Sequence, residues 1–117
     1  MSPGTEVRVM ASKLVAQVLA GKRSLKAVLQ QSITELNDPR DRALLEAICF
    51  TTLRHHRYYE FVLSQWLNKP LPRKDYAIHC LLLTGLAQLH GMKMPPHAVV
   101  SACVDAAKQL GQQDTQA

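Results

Sequence analysis

The sequence holds no apolar run approaching the roughly 18–20 residues that cross a bilayer. Its opening, MSPGTEVR, lacks a basic stretch followed by an apolar one, so no secretory signal is expected. Cysteine is scarce and ungrouped: Cys49, Cys80 and Cys103 stand singly, without CxxC spacing. An odd, scattered set excludes a disulfide framework and fits buried thiols in a reducing, cytoplasmic compartment. The histidines, His55, His56, His79, His90 and His97, show neither HExxH nor a Cys/His zinc spacing. His79 and Cys80 are neighbours and would point to different faces of a helix, so no metal site is expected. No GxSxG, GxGxxG or GxxxxGK[ST] occurs, which excludes the nucleophile-elbow, dinucleotide and P-loop readings. His97, Ser101 and Asp105 form a triad on paper, yet strung along one helix they would lack an oxyanion hole. No catalytic residue and no cofactor site are expected in this chain.

What is present is one domain's worth of helix-forming sequence. The chain has 117 residues, 47% hydrophobic and 20% charged, which is globular composition with room for one core. Strand alternation, repeats and low-complexity segments do not appear. Val7, Met10, Ala11, Leu14, Val15, Val18 and Leu19 recur at helical spacing, with Arg8, Lys13 and Gln17 off the stripe, and Gly21 suits the end of that helix. Ser24 is an N-cap for a second helix with Leu25, Val28, Leu29, Ile33 and Leu36 on its stripe. Asp38 caps a third, with Pro39 at its first position and Asp41 in its first turn.

From Ala43 to Leu53 the third helix carries one charge, Glu46, and its apolar residues face all ways, which predicts a central position. The RHHR run, Arg54 to Arg57, predicts a break before Tyr58, Tyr59 and Trp66 resume the pattern. Asn68 to Lys74, with two prolines, reads as a linker between two helical halves, about 1–67 and 75–111, of a single domain spanning 1–117. A fifth helix follows to about Leu89, in which Gly85 predicts a close helix crossing. Pro95-Pro96 opens a sixth helix and Gly111 is expected to close it.

Fourteen Lys and Arg against nine Asp and Glu give a formal charge of +5, which favours polyanionic partners. If the first five helices run up and down, the starts of the first, third and fifth share one end with Arg8, Arg40, Arg42, Lys69, Arg73 and Lys74. Helix N-termini and cations together favour phosphate. A second basic patch, Lys22, Arg23, Lys26, Arg54 and Arg57, falls at the opposite end, where helix C-termini offset its charge. Tyr58 and Tyr59 lie with it and are expected to be partly buried.

Three stretches in order, DRALLEAICFTTLR (41–54), LNKPL with LLLTGLAQL (67–89), and MPPHAVVSACVDAAKQLG (94–111), give a further pointer. Together they resemble the NusB-like all-helical RNA-binding domain. More closely, they resemble that domain at the N-terminus of the RsmB (Sun/Fmu) family of bacterial small-subunit (16S) rRNA cytosine-C5 methyltransferases. Ser101 and Ala102 stand where such sequences often carry Asn-Glu, and Ala87 replaces a frequent tyrosine. The resemblance implies a NusB-like helical bundle and an accessory role in gripping ribosomal RNA. It also implies that S-adenosylmethionine is bound by a catalytic domain absent from this chain. The last family helix is missing after Ala117, so an exposed apolar groove on the fifth and sixth helices and self-association are expected. A NusB-type antitermination factor, binding RNA with a ribosomal protein, and a docking module without RNA contact are the alternatives.

Overall fold

A computed structural model describes residues 4–116, apart from the side chains of Ile33 and of 113–116. The Ile33 stripe position and most of the polar tail therefore lie outside the described side chains. Among the described residues six α-helices occur in order and there is no strand. They are α1 (Thr5–Leu19), α2 (Leu25–Ile33), α3 (Pro39–Arg54), α4 (His56–Trp66), α5 (Tyr76–Leu86) and α6 (Pro96–Gln116). A 3-10 turn, Arg73–Asp75, leads into α5, and a π turn, Ala87–Gly91, leads out of it.

Local chemistry sets most boundaries. Gly21 (φ 75°) follows α1, with its N–H on Val18 O and that of Lys22 on Gln17 O, the paired bonds of a Schellman end. Ser24 accepts from Ala27 N at 3.2 Å, and Asp38 from Arg40 N at 2.8 Å, one residue after Pro39. At His55 the backbone leaves helical geometry (φ −117°, ψ 20°), breaking α3 from α4 inside the RHHR run.

α1 packs against α3, α5 and α6 and so joins the two halves of the chain into one core. Its first turns are buried nearly all round: Thr5, Val7, Arg8, Val9, Ala11 and Ser12 are all inaccessible. The central position expected for α3 thus belongs to α1. α3 buries Leu45, Ile48, Cys49 and Thr52 but leaves Phe50 58% exposed, so its apolar character is not matched by burial.

Two glycine expectations are corrected. Gly111 does not close α6, which continues to Gln116; one glycine costs a helix only about 1 kcal/mol. At Gly85 an added Cβ would lie 3.7 Å from Cys103 Sγ, an ordinary contact, so α5 and α6 meet there without requiring glycine. The close approach is at Gly91, where an added Cβ would lie 2.5 Å from Thr51 Cγ2 and 3.1 Å from Tyr59 Oη. The ends of α3 and α5 are held together at this point.

Candidate nucleic-acid interface

The expected phosphate set divides. Arg40 lies in the first turn of α3, its side chain 94% exposed and its Nε 3.8 Å from Asp38 Oδ1. Arg42, half-buried, donates from Nη2 to Asn37 O at 3.2 Å. Lys69, Arg73 and Lys74 are exposed on the segment entering α5.

Arg8 does not belong with them. It is 4% exposed, and its Nε donates to Gln88 Oε1 at 2.8 Å, while Nη1 reaches Gly4 O and Nη2 approaches Met94 Sδ. Burial pulls the guanidinium below its ordinary value, opposed by the nearby Cys103 sulfur. Gln88 is fully buried and donates in turn to Thr84 O at 2.9 Å, so the arginine closes a polar chain inside the core.

This bond also corrects the assumed arrangement. The start of α1 lies beside the end of α5, whereas Lys74 precedes α5. At about 1.5 Å per residue, Lys74 is roughly 20 Å along the axis from Gln88. The starts of α1 and α5 therefore do not share an end.

In the second basic patch Lys22, Arg23, Lys26, Arg54 and Arg57 are all exposed. Arg23 is committed to α2, donating to Gln31 Oε1 and to Ala27 O. Leu25 shares a shallow depression with Phe50, Leu53 and Arg54, which brings the start of α2 to the end of α3. Arg54 and Arg57 make no ion pair among the described residues. The tyrosines separate: Tyr59 is buried and bonds through its hydroxyl to His90 Nδ1 at 3.2 Å, while Tyr58 is exposed with its ring 5.4 Å from that of His90.

Burial pushes the Cys49 and Cys80 thiols up to about 12 and raises Cys103 as well. His79 bonds to Glu60 on α4 at 2.5 Å while Cys80 faces the core, as their adjacency predicts. Among the described residues no group of three or more potential ligands could hold a metal ion. No helix of the described residues is long and apolar enough to cross a membrane.

An apolar groove does run between α5 and α6, of about 320 Å³, with Trp66, Leu82, Leu89, Val100 and Val104 exposed along it. Sequence reasoning located this groove but missed Gln88, Gly91 and the exposure of Phe50. For Gln88 the only signal is a polar residue inside an otherwise apolar run.

The chain matches the model of the NusB family over residues 5–117. A Xylella fastidiosa (strain Temecula1) relative, ribosomal RNA small subunit methyltransferase B, is 48% identical over 95% of this chain. Relatives of the same name from Xanthomonas campestris and Pectobacterium carotovorum are 45% and 37% identical, over 92% and 94% of it. The chain spans about a quarter of the length of these relatives, 26%, 25% and 25%.

Proposed function

The chain belongs to the NusB family, and from that premise we propose that it is the RNA-binding accessory domain of a small-subunit rRNA methyltransferase, helping to hold the ribosomal RNA substrate. The observation that carries this reading is the 37–48% identity to relatives named for that activity, along nearly the whole chain. A formal charge of +5 and exposed cations agree with it.

Phosphate contacts are assigned to Arg40, Arg42, Lys69, Arg73 and Lys74, without Arg8. The described residues do not fit S-adenosylmethionine: they include no strand and no glycine-rich turn entering a helix. The cofactor, the cytosine specificity and the transfer step belong to other parts of a methyltransferase. The α5–α6 groove is the surface assigned to the catalytic domain, and in isolation to a second copy. Cytoplasmic action follows from the ribosomal substrate.

The test is filter binding of the chain to small-subunit ribosomal RNA across a salt series. Arg40→Ala with Arg42→Ala should weaken binding and flatten the slope of log affinity against log salt by roughly one to two units. An unchanged slope would remove both residues from the interface.

A further inference from the structure

Phe50 is a large apolar ring displayed on the outer face of α3. It separates two shallow depressions. One, of about 460 Å³, is lined by Leu25, Leu53 and Arg54; the other, of about 540 Å³, by Ala43, Glu46, Ala47 and Thr51. The small side chains of Ala43 and Ala47 leave the ring standing clear of the helix surface. Arg54 forms the wall of the first depression, and two exposed lysines, Lys22 and Lys26, lie within three residues of Leu25 in the sequence. Arg57 lies beyond the break at His55, in the first turn of α4, and the acid lining either depression is Glu46, on the far side of the ring. Gly91 packs on Thr51, the residue after Phe50, so the turn carrying His90 and its neighbour Tyr58 reaches the same end of α3.

An exposed aromatic face beside a cationic track is the combination that holds single-stranded nucleic acid, with a base stacked on the ring and phosphates on the cations. A duplex keeps its bases stacked on one another and offers no free face to such a ring. We propose that Phe50 is the stacking seat for an unpaired RNA base, lodged between the ring and Arg54, with the adjoining phosphates held by Lys22, Lys26, Arg54 and Arg57. This rests on the reading of the chain as an RNA-binding domain and adds to it the strandedness of the RNA it takes.

The experiment compares a single-stranded RNA of about ten nucleotides, long enough for one binding track, with a blunt duplex of the same strand. The single strand carries a 2-aminopurine whose fluorescence falls on stacking. Phe50→Ala and Phe50→Leu should weaken single-strand binding by roughly five- to a hundred-fold and abolish the quenching, as loss of one base–aromatic stack does. Phe50→Tyr should retain both, and duplex binding should not respond to any of the three. Because Phe50 is exposed, all three variants should melt with the unsubstituted chain. Retained affinity in Phe50→Leu would mean that any apolar side chain serves, the mark of a protein-docking spot, and would overturn the proposal. If Phe50→Ala binds the single strand as before, the seat is wrong while RNA binding stands. If the unsubstituted chain binds neither probe, the RNA reading fails and the seat with it.

Discussion

Replacing Arg8 by methionine should destabilise the fold and leave RNA binding at its original salt dependence. Arg8 is the cation that the sequence places among phosphate contacts and the structure places in the core, bonded to Gln88 Oε1 at 2.8 Å. A hydrogen bond to a charged group contributes about 1.5–3 kcal/mol, and a buried acceptor left without a donor costs about 1–3 kcal/mol. Methionine refills part of the aliphatic volume, so a net loss of about 2–4 kcal/mol is expected. Gln88→Leu should cost about 3–5 kcal/mol, because it leaves a guanidinium buried without its acceptor. The double variant should be more stable than the sum of the two losses implies, with a coupling of about 1.5–3 kcal/mol.

Thermal unfolding followed by far-ultraviolet circular dichroism reads these differences at about 3–6 °C per kcal/mol for a domain of this length. The salt slope of RNA binding supplies the second readout. If Arg8→Met melts with the unsubstituted chain and its slope falls by about one unit, Arg8 is a surface phosphate contact and the buried chain from Arg8 through Gln88 to Thr84 is refuted.

Further outcomes are expected at two glycines and two thiols. Gly91→Ala should destabilise by about 1–3 kcal/mol, since its Cβ would overlap Thr51 Cγ2, and Thr51→Ala should restore it, whereas Gly85→Ala should be neutral or gain up to about 1 kcal/mol of helix propensity; melting temperatures of the variants decide both. Cys49 and Cys80 are raised by burial from 9.0 to about 12, so the fold favours the protonated thiols: their contribution is fully present below pH 9 and is lost as pH rises towards 12. The slope is at most about 1.4 kcal/mol per pH unit for each thiol, and Cys49→Ala should flatten the alkaline fall in melting temperature.

The helix ends were legible because their signals are local. Ser24, Asp38-Pro39 and Gly21 satisfy backbone groups within a few residues, and no distant partner can change that. The groove was legible for a related reason: α5 and α6 carry more apolar surface than their neighbours cover. Burial of Arg8 was illegible because the partner that makes it tolerable lies 80 residues away, and charge alone argues for the surface. A partial signal existed: Val7 and Val9 flank Arg8, and around Arg8 from Thr5 to Ser12 the only other charge is Glu6, which suits a helix enclosed on nearly every side. Phe50 failed in the opposite sense, since an apolar helix pattern cannot tell an enclosed ring from one kept outside. Gly91 needed the third dimension, because Thr51 and Tyr59 are brought against it only by the packing of α3 and α4 on the π turn.

The burial of Arg8 bears on whether the two proposed partners could be held at once. α1 packs against both α3 and α6, with the Arg8–Gln88 bond tying its first turns to the end of α5. The apolar groove uses the outer surfaces of α5 and α6, where its lining carries no charged residue. The Phe50 ridge uses the outer surface of α3 and the start of α2, with Arg57 at the start of α4, and shares no lining residue with the groove, which α4 enters at its other end through Leu63 and Trp66. Had Arg8 remained at the surface beside Gln88 and Met94, a fixed positive charge would sit near the α5–α6 edge and draw polyanion towards the groove. Enclosed by neutral acceptors, it leaves the groove apolar, and the RNA seat proposed on α3 and the partner surface proposed on α5 and α6 share no lining residue. Occupying one surface would then leave the other open, which is what the proposed accessory role asks of the domain.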